Sequence, residues 1–336
     1  MSILLNEMDS RIYREELAPY LPARIHDCHA HVWKRSDFPA DFEISPRSYM
    51  NRFGGEFTPA MFREIMKELL PEQKFTFTGF GCPNHATDRS QVPGPLEEGD
   101  FTEVLLSPED PAEVVQERVE KTGSIGVKPY LNYAAKFYKK TAAEVEIKDM
   151  LTPSQLAYLD KAKLAITLHI PRPDRFSDPV NRSQMLELCE KYPDIKFIFA
   201  HIGRAYFMRG IHEAHIEDFI KFPNAYFDTA MINHAGVLKY TFDHFPAERI
   251  LFGSDAPIAL LRGKSVEINH QYAYLMGENY AIGTSIIDTE HAVDFTTFYF
   301  EQLRAIIEAA PADALEKVLY SNAQKLFNEV KSCQNK

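Results

Sequence analysis

Leu164-Ala165-Ile166-Thr167-Leu168-His169 and Phe197-Ile198-Phe199-Ala200-His201 are two apolar runs of strand length, each ending in a histidine. Between them, Asn181 to Tyr192 carries apolar residues at helical spacing. The two histidines are 32 residues apart, the length of one strand–helix unit of a parallel sheet. The pattern continues outward. His201 to Asp255 is 54 residues, or two units, with Tyr226-Phe227-Asp228-Thr229 as the strand between them. Ile250-Leu251-Phe252-Gly253-Ser254 leads into Asp255, and far upstream an apolar run ends in Asp27-Cys28-His29-Ala30-His31.

Strands are expected near 24–28, 74–80, 101–106, 124–128, 164–169, 195–200, 225–229 and 250–254. The clearest helices are Thr58 to Leu70, Pro111 to Lys121, Pro153 to Lys163, Asn181 to Tyr192 and Val293 to Glu308. Thr58-Pro59 and Thr152-Pro153 read as an N-cap followed by a first-turn proline. Eight strands alternating with helices predict the α/β class and a distorted (β/α)8 TIM barrel, one domain over residues 1–336 with a short N-terminal helix. The second unit is irregular, because Pro83, Pro93, Gly94, Pro95 and Gly99 mark Cys82 to Asp100 as loop. Segments 34–57, 131–150 and 256–290 are expected insertions after strand C-termini. That face of such a barrel carries the active site, so they would form a lid or substrate walls.

The chain has 336 residues, 45% hydrophobic and 25% charged, enough for one large core. Its formal net charge of -11 argues against a nucleic-acid partner, since phosphate binding needs a basic surface. No apolar run reaches membrane-spanning length. The opening Met1-Ser2-Ile3-Leu4-Leu5-Asn6-Glu7 lacks the layout of a signal peptide. Cys28, Cys82, Cys189 and Cys333 are few and scattered, as free thiols in a reducing compartment would be. A cytoplasmic protein with a small-molecule substrate is expected. A homo-oligomer is compatible with these features.

Imidazoles and a carboxylate are what a borderline divalent metal takes as ligands. Residues i and i+2 of a strand share a face, so His29 and His31 can address one ion. With Asp27-Cys28-His29-Ala30-His31, His169, Ala200-His201-Ile202-Gly203, Leu251-Phe252-Gly253-Ser254-Asp255 and the late segment Ser321-Asn322-Ala323-Gln324-Lys325-Leu326-Phe327, the chain resembles the amidohydrolase superfamily. The likeness is to its amidohydrolase-related branch of metal-dependent hydrolases and decarboxylases, and it spans about residues 24 to 328. The resemblance implies one metal held by His29, His31, His169 and Asp255, with His201 as a catalytic residue beside the metal-bound water. Zinc is the expected ion and manganese the alternative. Such a metal lowers the pKa of bound water from 15.7 to about 7.

Several residues carry two readings. Asp255 could ligate the metal or act as a catalytic base. Asp27 could orient a ligand histidine or accept a hydrogen bond from nearby backbone. Cys28 alternates away from His29 and reads as a packing thiol. Lys128 occupies a position where some superfamily members carry a carboxylated, metal-bridging lysine; it could instead pair with a substrate carboxylate or with a neighbouring acid. Arg172 and Arg204 each follow a site histidine by three residues and could grip a carboxylate or form rim salt bridges. Tyr130, Asn233 and His234 could line the pocket, and Trp33 could be an apolar wall or plain packing. His212 and His215 read as a solvated helix face. His26, His85, His244, His270 and His291 have no evident partner. The chain has no Gly-x-Ser-x-Gly elbow, phosphate-binding glycine loop or His-Glu-x-x-His helix. The expectation is a metal-dependent hydrolase of a carboxylate-bearing lactone, amide or ester. The alternatives are a decarboxylase of an aromatic or unsaturated acid and a non-catalytic ligand-binding barrel.

Overall fold

The computed structural model describes residues 5–83, 89, 94–288, 290 and 293–334. Its sheet holds β1 (Arg24–His31), β2 (Lys74–Phe80), β3 (Phe101–Leu106), β4 (Gly126–Pro129), β5 (Ala165–Leu168), β6 (Lys196–Phe199), β7 (Ala225–Asp228) and β8 (Ile250–Leu251). They lie side by side in chain order, each pair parallel. The end of the sheet returns to its start. Cys28 N–H donates to the Phe252 carbonyl (2.8 Å), Asp255 N–H to that of His29 (2.8 Å), and His31 N–H to that of Ala256 (2.7 Å). The fold is the expected (β/α)8 barrel. Gly253 lets this seam close, because a Cβ there would stand 2.7 Å from the Cβ of His29.

The helices start where their caps say. Thr58 accepts from Met61 N–H ahead of Pro59–Leu69, and Thr152 from Gln155 N–H ahead of Pro153–Lys161. The late helix runs Phe298–Ala309 and starts after the expected Val293, because Thr297 is the residue that caps it. Phenylalanines fill the space between barrel and helices. Phe199 and Phe227 of β6 and β7 meet Phe219 at 5.6 and 5.7 Å, and Phe227 meets Phe176 at 5.4 Å and Phe245 at 5.0 Å.

Among the described residues no helix stands between β2 and β3, but much of the expected loop from Cys82 to Asp100, with His85, lies outside them, as does His291. Segment 131–150 contains the helices Leu131–Tyr138 and Ile147–Met150. Segment 256–290 forms a separate sheet of β9 (Gly263–Ile268), β10 (Gln271–Met276) and β11 (Ser285–Ile287). β9 and β10 pair antiparallel around Asn269-His270, whose φ values of 50° and 63° suit a two-residue hairpin turn.

This second sheet is tied over the ends of β6 and β7. Asn233 Oδ1 accepts from Ser265 N–H (3.1 Å), and Glu267 accepts from Met208 N–H (3.0 Å) and pairs with His234 Nε2 (3.1 Å). Asn233 and His234 therefore brace the added sheet. The N-terminal helix Glu7–Ile12 supports it from below, through the buried Asp9 paired with Arg262 (2.6 Å).

Candidate active site

Contacts between non-adjacent strands locate the barrel interior. His29 of β1 meets Asp228 of β7, Lys128 of β4 meets His29, and Thr167 of β5 donates to Glu103 of β3 (2.9 Å). All are buried. Upon this polar stack three imidazoles are oriented the same way. His29 Nδ1 faces Asp228 Oδ2 at 2.8 Å, His31 Nδ1 faces the Gly81 carbonyl at 3.0 Å, and His201 Nδ1 faces the Ala230 carbonyl at 2.9 Å. Carbonyls only accept, so Nδ1 of His31 and His201 carries the proton; Asp228 draws the same tautomer from His29. Each ring then turns Nε2 to the site, the arrangement that supporting acceptors impose on metal-binding histidines.

His29 Nε2 lies 3.6 Å and His31 Nε2 3.4 Å from Asp255 Oδ1. Ligand atoms of these three residues all lie within 4.8 Å of one another, so they could hold one ion. A second close group, His29, His201 and Asp228, is already internally bonded: Asp228 Oδ1 accepts from the backbone N–H of His201 (2.7 Å) and Ala230 (3.0 Å). His169 packs by ring contact against His201 (5.3 Å) and Tyr130 (6.2 Å) and is outside the close trio, yet its buried Nδ1 has no partner. A buried unpaired nitrogen is costly. Three Nε2-presenting imidazoles, one carboxylate and this orphan nitrogen fit a divalent metal with nitrogen and oxygen ligands.

Burial drives His29 well below the ordinary imidazole pKa. Burial and the positive field of Arg204 do the same to His169, and burial lowers His201. Burial alone would raise Asp255, but the hydrogen bond with His31 and the fields of His29 and His201 outweigh it and bring the carboxyl to about 2. At neutral pH His29, His169 and His201 are thus neutral and Asp255 is ionised, the protonation states that ligands need. Glu103 is pushed up to about 8 by burial despite Lys128, and its Oε2 is unpaired.

Lys128 lies inside the barrel rather than on its rim. Nζ is 3.3 Å from His29 Nε2 and 4.9 Å above the Phe80 ring, with no carboxylate within 4.0 Å among the described residues. Tyr130 sends its hydroxyl to His31 Nε2 (2.8 Å). Asp27 accepts from the backbone N–H of His29 (3.1 Å) and Ser254 (2.9 Å) and from the Ser254 hydroxyl, so of its two readings the backbone one is what the structure contains. Arg172 is engaged with Asp178 (2.9 Å), the cap of Pro179–Lys191. Arg204 donates to the Ile170 carbonyl (2.9 Å). Trp33 is packed between Tyr49 and Phe57, with its N–H on the Gly55 carbonyl (3.1 Å). Cys28 is a buried thiol, and His212, His215, His244 and His270 are exposed.

The backbone around the site is strained. His201, Ile202, Gly203 and Arg204 have φ of 58°, 48°, 62° and 68°, a full left-handed turn, and Asp255 stands at 68°. Non-glycine residues rarely adopt this conformation, and such strain concentrates at functional sites. Sequence reasoning passed over Asp228, Glu103, Phe80, Tyr206 and Arg175. Asp228 had a visible signal, as an acid closing a strand just as Asp255 does; Glu103, in mid-strand, had none.

The amidohydrolase family model matches residues 26–328, from β1 to the last helix. The chain belongs to the amidohydrolase family. No curated protein matches this amidohydrolase. Among solved structures it is similar to 5-carboxyvanillate decarboxylase from Sphingomonas paucimobilis, with TM-score 0.55 and 11% identity over 91% of this chain and 99% of that one. It is also similar to a probable 2-pyrone-4,6-dicarboxylic acid hydrolase from Acinetobacter baumannii with citric acid bound (TM-score 0.54, 13% identity, 90% and 99% covered). A third similar structure is 4-oxalomesaconate hydratase from Rhodopseudomonas palustris (0.51, 14%, 93% and 98%). At such identities the likeness speaks for the fold alone. The family is metal-dependent and includes hydrolases and decarboxylases.

Proposed function

We propose that this amidohydrolase is a metal-dependent hydrolase of a small carboxylate-bearing lactone, amide or ester. One observation carries the reading: the Nδ1 atoms of His29, His31 and His201 are pinned, so that their Nε2 atoms face a site completed by Asp255. His29, His31, His169 and Asp255 would hold the ion. A bound divalent metal supplies a Lewis acid for the substrate carbonyl and makes water acidic enough to attack at neutral pH. His201 enters neutral, its Nδ1–H held by Ala230, so Nε2 accepts a proton from the attacking water and returns one to the leaving group. Asp255, ionised, shares that proton handling. Asp228 fixes the imidazole of His29 and the backbone of His201 together. Tyr130, Lys128 and Arg204 would meet the substrate's polar groups, a reading supported by the Tyr130 hydroxyl on His31 and by Lys128 Nζ beside His29.

Non-oxidative decarboxylation is the second reading, favoured by the rings of Phe80, Tyr130 and Tyr206 around the histidines, which suit a planar acid. His201 Nε2 or Asp255 would then first take a proton from water or from the substrate and pass it to the carbon that loses carbon dioxide.

Protein purified without chelator should carry about one ion per chain, most of it zinc. Less than about a tenth of an ion, unchanged after zinc or manganese is added, overturns the metal assignment. A screen of carboxylated lactones and aromatic acids, followed both by acid release and by carbon dioxide evolution, separates the two reactions. Carbon dioxide without hydrolysis selects the second.

A further inference from the structure

The loop after β5, the turn after β6 and the β9–β10 hairpin enclose a cleft of about 400 Å³. Two of its walls are Arg175 and Arg204. Each has a buried Nε that bonds to nothing. Neither guanidinium has a carboxylate within 4.0 Å among the described residues, in a chain with 48 acidic side chains against 37 basic ones. Nearby arginines are treated differently: Arg172 is paired with Asp178 (2.9 Å) and Arg209, on the same cleft, with Glu213 (2.7 Å). Leaving buried guanidinium donors unmet is unfavourable unless something else meets them.

Both arginines are also held in place. Arg175 and Arg204 sit at φ 57° and 68°, in the left-handed region. Asn181 Nδ2 ties the Arg175 carbonyl (2.8 Å), and Arg204 Nη1 donates to Ile170. The Arg175 guanidinium lies 4.5 Å over the Tyr272 ring and 5.5 Å from that of Tyr206. A guanidinium stacked on its face keeps its edge free for the two-point grip of a carboxylate. The Tyr206 ring lies 6.0 Å from the His201 ring, so Arg175 is one aromatic side chain away from that histidine.

We propose that Arg175 and Arg204 bind a carboxylate at the end of the substrate remote from the bond that reacts, so the enzyme selects an elongated acid. Arg175 thus takes one of the two roles that spacing left open for Arg172, while Arg172, paired with Asp178, braces the loop that presents it. This rests on the hydrolase reading for the reacting end, but binding can be tested without turnover. Calorimetric titration with adipate, against the neutral adipamide, uses the purified protein before and after metal removal. Adipate should bind in both states and adipamide in neither. Arg175→Met and Arg204→Met should each weaken adipate about 10–100-fold. With a substrate in hand, Arg175→Met should raise KM far more than it lowers kcat, and Arg175→Lys should recover only part. Adipate binding that vanishes with the metal, that both variants retain, or that the parent lacks at about 10 mM overturns the proposal. Failure to find any hydrolysed substrate would sink the hydrolase reading and leave the adipate result standing.

Discussion

Asp228 orders the site more than any candidate ligand does. One oxygen holds the ring of His29 and the other holds the backbone of His201, so two strands share a single acceptor. His201 gains from this a fixed position without being drawn into the trio of His29, His31 and Asp255. His201→Asn should therefore keep the metal and lose about 10²–10⁴-fold in kcat, whereas His169→Ala should lose metal as well. Metal analysis beside steady-state kinetics checks both, and an Asn variant that comes out metal-free refutes the division. The histidines and Asp255 were legible because each closes an apolar run. What the arginines do was not legible. Arg172 and Arg204 look alike by spacing, and Arg175 stands in no motif. Only the folded loop shows that Asp178 satisfies Arg172 while leaving Arg175 free.

At the scale of elements, the left-handed turn His201–Arg204 departs furthest from simple rules. It brings Ile202, a branched residue, to φ 48°. Gly203 sits at its tightest point, where a Cβ would meet Phe176 side-chain carbons at 2.7–3.0 Å. Gly203→Ala should cost about 1–3 kcal/mol of stability, because Phe176 is itself packed against Phe219 and Phe227. Denaturant melts measure this, and a neutral result would mean that the turn relaxes freely. The strands were readable because buried parallel strands are continuous apolar runs, and the helices because Thr58 and Thr152 announce their caps. The sheet β9–β11 was not readable as such. Its strands cover a rim instead of filling a core, so polar and apolar residues mix without a clean period.

On the scale of the molecule, the barrel is tied to its C-terminal helix through a histidine for which no partner was evident. His26, fully buried in β1, accepts at Nδ1 from Gln324 (2.8 Å) and faces Thr78 Oγ1 through Nε2 (3.0 Å). Burial takes its pKa from 6.5 down to about 3. Below pH 6.5 the unfolded chain takes up a proton that the folded chain refuses, so stability present above 6.5 is lost as the pH falls toward 3. The loss from this one group is about 1.4 kcal/mol per pH unit. In metal-free protein, melts between pH 7 and 4.5 should show a slope smaller by about one proton for His26→Gln than for the parent. Equal slopes would refute the assignment at any absolute stability. The seam that closes the barrel has a different consequence, for the order of assembly. Asp27 and Ser254, hydrogen-bonded across it, are 227 residues apart in the chain. Loop closure over such a span comes late in folding, after local strand–helix units exist. During synthesis β1 therefore waits with a bare edge, open to the wrong neighbours. The imidazoles of His29 and His31 meet Asp255 only when the last strand arrives, so a chain caught before closure would lack part of the proposed metal site, and ion capture would belong to the end of folding.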